Sequence, residues 1–124
     1  MKILKILVAD DNQDVRELVR DVLEADGHLV TIVPDGEFAI RILNRERNFD
    51  LVVTDREMPR KSGEAVTEFA KQNFPEIKVV VMSGHLSEEI ERTLARLGAD
   101  RIIPKPLDVS RLLAILQELF PGPA

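Results

Sequence analysis

Short apolar runs alternate with amphipathic stretches along the whole chain. Each run has the length of a β-strand, and each is followed by residues whose apolar positions recur at helical spacing. The nearly continuous apolar character of these runs is typical of strands buried on both faces of a parallel sheet. We predict five such strands, at Leu4–Ala9, His28–Val33, Leu51–Thr54, Lys78–Met82 and Arg101–Ile103.

The stretches after the strands predict five amphipathic helices. In the first, the apolar residues fall on one helical face, at Val15, Leu18, Val19, Val22 and Leu23. Residue types that favour helix N-caps begin three of the stretches, at Asn12, Ser87 and Asp108. Glycines stand where left-handed C-caps are expected, at Gly27 and Gly98. The second helix, with Phe38 on its apolar face, is predicted to run to about Arg47, and the third to follow Gly63.

Strict alternation of strands and helices predicts the architecture. Helical crossovers between successive strands produce a parallel sheet with helices on both faces, which is a three-layer α/β sandwich. Ligands in such folds gather beyond the carboxyl ends of the strands, where the strand order reverses. That edge of the sheet is therefore where functional residues are expected.

The length and composition are those of one globular domain. The chain has 124 residues, of which 44% are hydrophobic and 31% charged, and this balance is typical of a folded domain rather than a disordered one. We predict a single domain over residues 1–120 and a C-terminal tail or truncated linker over residues 121–124.

Charge, cysteine content and hydropathy exclude several classes of function. The net charge of −5 argues against direct binding of nucleic acid by this domain, because contacts to phosphates need a basic surface. There is no cysteine for a disulfide or a thiolate metal site. The first apolar run is too short to span a bilayer, and acidic residues follow it where a signal peptide would need small ones. No membrane contact and a cytoplasmic location are therefore expected.

Polar residues follow four of the five predicted strands. Asp10 and Asp11 follow the first strand, Asp55 the third, Ser83 the fourth and Lys105 the fifth. Carboxylates brought together at one edge repel each other unless a cation compensates, and Mg2+ suits a few carboxylates with retained waters. A lysine opposite a bound Mg2+ is the arrangement that a transferring phosphoryl group needs.

Each of these residues alone also has an ordinary structural explanation. Asp10 or Asp11 can cap the first helix, Asp55 can be a loop carboxylate before a proline, and Lys105 can be a surface charge. Ser83 lies in a Ser-Gly turn, which is unremarkable by itself. The joint pattern, rather than any single residue, favours a phosphoryl site.

Five separate motifs resemble the receiver domains of bacterial two-component response regulators, with similar spacing over nearly the whole chain. They are Ile6-Leu7-Val8-Ala9-Asp10-Asp11, Leu51-Val52-Val53-Thr54-Asp55, Met58-Pro59 with Gly63, Val80-Val81-Met82-Ser83-Gly84, and Lys105-Pro106. The predicted fold is accordingly a flavodoxin-like sandwich with a five-stranded parallel sheet in the order 2-1-3-4-5 and five helices.

The resemblance implies the metal site and the acceptor. Asp55 would be the phospho-acceptor, and Mg2+ would be bound by Asp55, by Asp11 directly and by Asp10 largely through water. The backbone carbonyl of Glu57 would complete the protein ligands.

The resemblance also implies what happens around the phosphoryl group. Ser83 and Lys105 would contact its oxygens, and the Lys105–Pro106 peptide bond would be cis. Phosphorylation would switch a partner surface formed by the fourth helix, fifth strand and fifth helix. The donor would be a sensor histidine kinase, a histidine phosphotransfer protein or a small phosphodonor, and the output partner stays open. Such a domain catalyses its own phosphorylation and dephosphorylation and is not a turnover enzyme.

Two positions and one short run depart from the family pattern. Ile102 stands where many members carry an aromatic switch residue, and Arg56 follows the acceptor where an apolar residue is usual; we interpret Arg56 as a surface arginine. Glu57 and His85 lie where the resemblance implies an influence on phosphate lifetime. The resemblance also differs at the run Asp100-Arg101-Ile102, which is unlike that of the DNA-binding members that dimerise through this surface. This difference favours a free-standing receiver or one attached to something else, and whether phosphorylation produces a dimer stays open.

Three alternatives compete with a receiver. The alternative within the same fold is an unphosphorylated receiver-like module that binds a protein partner, and the presence of the whole residue set disfavours it. A phosphohydrolase is disfavoured because Asp55-Arg56-Glu57 lacks the Asp-x-Asp acceptor motif. A nucleotide-binding domain is disfavoured because no glycine-rich turn follows the first strand.

Overall fold

The computed structural model describes residues 2–122, and within them five β-strands alternate with five α-helices. The strands are β1 (Lys5–Ala9), β2 (Leu29–Val33), β3 (Leu51–Asp55), β4 (Lys78–Ser83) and β5 (Arg101–Pro104). The helices are α1 (Gln13–Ala25), α2 (Gly36–Arg45), α3 (Gly63–Asn73), α4 (Glu88–Leu97) and α5 (Val109–Leu119).

All neighbouring strands are parallel, and their order is β2-β1-β3-β4-β5. This confirms the predicted flavodoxin-like fold. The register places Asp55 at the end of β3 opposite Met82, and Ser83 at the end of β4 opposite Pro104. The carboxyl ends of the central strands therefore meet at one edge of the sheet.

Alternate side chains of the sheet build two separate core layers, as the period of two in a strand requires. On one face, Leu7 and Val52 pack with residues of α2, α3 and α4, including Leu43. On the other, Val53 and neighbouring sheet residues pack with α1 and α5, including Leu112. Helices on both faces explain why the strands are apolar at almost every position.

Helix boundaries follow the predicted caps. Asn12, Ser87 and Asp108 each accept a hydrogen bond from a backbone N–H in the first turn of α1, α4 and α5. Gly98 ends α4 in the left-handed conformation, with φ of 105°. The second helix is shorter than predicted and ends at Arg45, because Glu46 leaves helical geometry and its carboxylate binds Lys5 Nζ at 2.9 Å.

Strand boundaries differ from the predictions by one residue at several ends. The strand β2 begins after His28, because the His28 N–H donates to Leu23 O at the end of α1 instead of joining the ladder. The strands β3 and β4 extend into Asp55 and Ser83, which hydropathy alone assigns to loops. Polar site residues are thus held by regular strand geometry.

Two side chains predicted to lie on buried helix faces are instead accessible. Leu18 is 46% exposed on α1, where Val19 and Leu23 fill the core. Phe38 is 41% exposed on α2, and the Arg41 guanidinium lies 5.9 Å from its ring centroid. The apolar stripe of each helix is therefore wider than the face that its neighbours cover.

Domain limits and membrane contact were also predicted. The described fold runs through Phe120, which caps α5. The division at residue 120 stays a prediction, and residues 123–124 of the predicted tail lie outside the described part of the chain. Within residues 2–122, no helix combines the length and the apolar character needed to cross a bilayer.

Gly63, the first residue of α3, provides a test of the packing at the carboxyl edge. A Cβ there would overlap the carbonyl oxygen of Asp55 and approach Arg56 Cα at 2.7 Å. We expect Gly63→Ala to lower the free energy of unfolding by about 1–3 kcal/mol, despite the better helix propensity of alanine. Gly84→Ala is the control, because a Cβ there meets nothing within 4 Å. Urea unfolding followed by circular dichroism measures both, and equal stabilities of the two variants would contradict the packing.

Candidate functional site

Three carboxylates meet where β1 and β3 end. Oxygen atoms of Asp10, Asp11 and Asp55 lie within 4.8 Å of one another. Asp10 is fully buried and Asp55 is only 6% exposed, whereas Asp11 is exposed to solvent. The structure thus brings together the three acidic residues predicted from the sequence, in a carboxylate cluster with one side open to water.

Helix capping does not account for the paired aspartates. Asn12 caps α1 by accepting a hydrogen bond from Val15 N at 3.1 Å. Asp10 Oδ1 instead accepts from Asn12 N at 2.9 Å, and its backbone carbonyl accepts from Arg16 at 3.2 Å. The local turn therefore orients the Asp10 side chain toward Asp11 and Asp55, which leaves Asp10 Oδ2 available to a cation.

Lys105 reaches the carboxylates from the loop after β5. Its Nζ lies 2.8 Å from Asp10 Oδ2 and 3.3 Å from Asp55 Oδ2. The Lys105 N–H donates to Ser83 O at 2.8 Å, so its backbone is fixed to the end of β4. The peptide bond between Lys105 and Pro106 is cis, as predicted.

The environment of Asp55 disfavours its charged form. Burial and the neighbouring charge of Asp10, with a smaller effect from Asp11, raise the pKa of Asp55 despite the opposing attraction of Lys105. The attraction of Lys105 therefore does not offset burial and the neighbouring carboxylates fully. An added cation at this position would favour ionisation of Asp55.

The charge of Lys105 is strengthened by the same contacts. Burial by itself would lower the pKa of Lys105, but the hydrogen bond and charge of Asp10, together with Asp55, outweigh that effect and raise it. Lys105 is accordingly a fixed positive charge directed at the carboxylate pair.

Ser83 is buried at the end of β4, and its hydroxyl is engaged with the following loop. The hydroxyl donates to the carbonyl oxygen of His85 and accepts from the His85 N–H at 3.1 Å. Within residues 2–122 these are its hydrogen-bond partners, so Ser83 lies at the correct edge without contacting Asp55 by a hydrogen bond. The His85 side chain is exposed, and its backbone holds Ser83.

Arg56 is not the surface arginine that was predicted from the sequence. Its side chain is only 19% exposed, because Nε lies 3.0 Å from Glu64 on α3 and Nη1 lies 2.9 Å from Glu57. The Glu57 carboxylate is thus paired with Arg56. In the described chain, the Glu57 carbonyl oxygen accepts no hydrogen bond, which leaves it available as a ligand.

The donor set fits a hard divalent cation. Three carboxylates with oxygens inside 4.8 Å, one of them exposed, match the preference of Mg2+ for oxygen ligands and retained waters. Burial and the neighbouring charge of Asp10 raise the pKa of Asp55, so a bound cation would favour its charged form. The residues present are therefore suited to hold Mg2+.

Two contacts around the site were not found from the sequence. Arg16 donates to the Asp10 carbonyl, and Glu64 pairs with Arg56 across the turn into α3. Arg16 lies one helical turn after the cap residue Asn12, which is a spacing that could have drawn attention to it. No sequence signal marks the Arg56–Glu64 pair, because it depends on how the loop between β3 and α3 folds back.

Comparisons with known proteins agree on one class. The chain matches the response regulator receiver domain family over residues 6–117. It is 34% identical to the transcriptional regulatory protein CpxR of Escherichia coli strain K12 over 118 residues, which cover 91% of this chain and 49% of CpxR. It thus spans about half the length of curated relatives of this kind.

Solved structures give the same result. The CheY-like receiver domain protein of Methanospirillum hungatei superposes with a TM-score of 0.89 at 26% identity, covering 94% of this chain and 93% of that one. NtrX of Brucella abortus superposes with a TM-score of 0.86 at 32% identity, covering 95% of this chain and 27% of NtrX. The chain therefore belongs to the response regulator receiver domain family, whose members act in two-component signal transduction.

The raised pKa of Asp55 predicts how the stability of the metal-free domain depends on pH. A carboxyl group whose pKa is higher in the folded state takes up protons on folding between the two pKa values, so stability falls as the pH rises through that interval. At pH 7 and without divalent cations, we expect Asp55→Asn to be more stable than the wild type, on the order of 1 kcal/mol. The difference should vanish below the unfolded value near 3.8.

Urea unfolding at a series of pH values measures this difference. Asp21→Asn is the matched control, because its carboxylate is 67% exposed and it should change stability little at any pH. Equal stability of the wild type and Asp55→Asn at pH 7 would contradict the raised pKa of Asp55, as would a difference that grows toward acid.

Proposed function

We propose that this receiver domain takes a phosphoryl group onto Asp55 in a Mg2+-dependent reaction. The observation that supports this best is the buried pair Asp10 and Asp55, with Asp11 beside it and Lys105 Nζ directed at both. Family membership gives the class of protein, and this cluster of charged side chains indicates which residues would carry out the reaction. Bound Mg2+, held by Asp11, Asp55 and the Glu57 carbonyl with Asp10 in support, would reduce the repulsion between Asp55 and the incoming phosphoryl group.

The residues of the chain then have distinct roles. A carboxylate oxygen of Asp55 attacks phosphorus, an O–P bond forms, and the bond from phosphorus to the donor nitrogen or oxygen breaks. The product is an acyl phosphate on Asp55, and the donor leaves with the electron pair of the broken bond. Lys105 binds a phosphoryl oxygen, and it is released from Asp55 as it does so.

Ser83 is the residue that would transmit the change. Its hydroxyl is bound to the His85 backbone, at the start of the loop that leads to α4. Rotation of this hydroxyl toward a phosphoryl oxygen would break both hydrogen bonds and alter that loop. Phosphorylation would thereby shift the population of two arrangements of the α4–β5–α5 surface. Ile102 on β5 is half-buried against the core, so this chain would switch without an aromatic rotamer change.

The proposed partners follow from the chemistry of the donor. A sensor histidine kinase or a histidine phosphotransfer protein would supply phosphohistidine, and the output partner would bind the α4–β5–α5 surface. A phosphorylation-dependent dimer is one form that this output can take. Receiver domains are not turnover enzymes, and self-catalysed dephosphorylation is part of the present proposal. A cytoplasmic location remains an expectation of the same proposal.

Intact mass after incubation with acetyl phosphate tests the acceptor. With Mg2+, we expect addition of one phosphoryl group to the wild type, and no addition to Asp55→Asn or to the wild type in excess chelator. Asp21→Asn should be modified like the wild type, because Asp21 is exposed on α1 and is not part of the carboxylate cluster. Lability of the adduct to hydroxylamine would identify an acyl phosphate.

The opposite result has a definite meaning. A folded wild-type domain that gains no mass and also fails to bind beryllofluoride would favour the unphosphorylated protein-binding module instead. Modification of Asp55→Asn at the wild-type rate would mean that another residue is the phospho-acceptor.

The metal should also stabilise the fold. A ligand that binds only the folded state at ten times its Kd adds about 1.4 kcal/mol, which raises Tm by several degrees for a domain of this size. We expect this rise for the wild type and most of it to be lost in Asp11→Asn, measured by thermal unfolding with and without millimolar Mg2+. An unchanged Tm in the wild type would contradict the metal site, and so would an equal rise in both proteins.

A further inference from the structure

Two loops meet beyond the carboxyl end of β1. The first is the turn between β2 and α2, and the second is the loop between β3 and α3 that carries Glu57. Gly36, which begins α2, packs so closely on the second loop that a Cβ would overlap the carbonyl oxygen of Lys61. The backbones of the two loops are therefore in direct contact, although their strands are separated in the sheet by β1.

An ion pair between Asp35 and Arg60 joins the same two loops. Asp35 Oδ1 caps α2 by accepting from Phe38 N at 2.8 Å, and Oδ2 accepts from Arg60 Nε at 3.1 Å. The Asp35 side chain is only 8% exposed, whereas that of Arg60 is 64% exposed. Burial alone would raise the pKa of Asp35, but the Phe38 N–H and the Arg60 guanidinium outweigh burial and lower it. Both carboxylate oxygens are thus used, one within α2 and one across to the neighbouring loop.

Arg60 adopts a backbone conformation that a non-glycine residue seldom has. Its φ is 70°, and within residues 2–122 it is the non-glycine residue with positive φ. Such a conformation persists where surrounding contacts hold it. The contacts present are the ion pair to Asp35 and the adjacent turn, in which Lys61 N donates to Pro59 O at 2.9 Å.

The loop held in this way contains the proposed carbonyl ligand of the metal. Glu57 lies three residues before Arg60, and the loop is fixed at its other end by Gly63 N, which donates to Arg56 O at 2.8 Å. A carbonyl ligand on a loop must be held in place before the metal arrives, because otherwise binding must also order the loop. The affinity falls in proportion to the fraction of molecules with the loop correctly placed.

From this arrangement we infer that Asp35 and Arg60 are positioning residues for Mg2+, which tie the ligand-bearing β3–α3 loop to the start of α2. The inference rests on the proposed function, because it concerns the metal site proposed above. It assigns a role in metal binding to two residues that do not touch Asp10, Asp11 or Asp55. It also makes the N-terminus of α2 part of the structural support of that site.

The test is the Mg2+ affinity of the metal-free domain and its variants. The chain contains no tryptophan or tyrosine, so titration calorimetry and NMR shift titration are the suitable methods. We expect Arg60→Ala to raise the Kd for Mg2+ at least threefold and Arg60→Lys to restore most of the affinity. Asp35→Asn, which keeps a capping oxygen but loses the charge, should weaken binding to the same extent. Because the two residues act through one contact, the double variant should bind no more weakly than either single variant.

Two matched controls separate positioning from general destabilisation. Lys71→Ala removes an ion pair of the same kind, in which Lys71 Nζ lies 2.8 Å from Asp100 Oδ2. Asp100 also accepts a hydrogen bond from Val79 N, so this pair lies at the opposite end of the sheet. Arg41→Ala removes the other arginine that lines the cavity of about 310 Å³ beside Arg60. Both should bind Mg2+ within twofold of the wild type. Amide exchange of Lys61 without metal should be faster in Arg60→Ala than in either control.

The outcomes distinguish this inference from the proposed function. A wild-type domain that binds Mg2+, with Arg60→Ala binding equally well, would overturn the inference alone. Weakening in Lys71→Ala as large as in Arg60→Ala would also overturn it, because a general loss of stability would then explain both. A wild-type domain that binds no Mg2+ would overturn the proposed function and the inference together.

Discussion

Electrostatic repulsion among Asp10, Asp11 and Asp55 is the constraint on which the rest of this structure depends. Two of these carboxylates are buried, and among the described residues the cation within hydrogen-bonding distance of that pair is Lys105. Burial, together with the neighbouring charge of Asp10, raises the pKa of Asp55, so the folded domain holds this carboxylate in an unfavourable state. Under the proposed function, a divalent cation and a phosphoryl group bound by Lys105 would each change that balance, so a site that is destabilised without ligands would respond to them.

The apolar sandwich supplies the stability that keeps the carboxylates together. Both faces of the sheet are covered by helices, and the central strands are buried along their length. Regular ladder geometry extends into Asp55 and Ser83, so strand pairing rather than loop packing sets their positions. The less regular parts are fixed by specific contacts. Gly63 allows α3 to begin against the Asp55 backbone, and the pair formed by Asp35 and Arg60 joins the two loops beside it.

Much of the fold could be predicted because its determinants are local. Strand and helix order follow from hydrophobic periodicity, and caps such as Asn12 were identified from residue type alone. The strand ends were less accurate, because hydropathy ends a strand at Asp55 although the ladder continues through it. The group of acidic residues was found because parallel topology brings all strand ends to one edge.

The pair of Asp35 with Arg60 could not be found in this way, since it joins residues 25 apart and depends on a left-handed backbone that arginine does not signal. Arg56 was misjudged for a similar reason, because its partner Glu64 comes close only after the loop folds back.

A crystal structure of the domain with Mg2+ and beryllofluoride tests the central claim most directly, because it locates the metal and the phosphoryl analogue together. The account predicts beryllofluoride on an Asp55 oxygen, contacted by Lys105 Nζ and by a Ser83 hydroxyl that has left the His85 backbone. It also predicts Mg2+ bound by Asp11, Asp55 and the carbonyl of Glu57. A metal bound elsewhere would contradict the account, as would a structure at full Mg2+ and beryllofluoride concentrations in which Asp55 still contacts only Lys105.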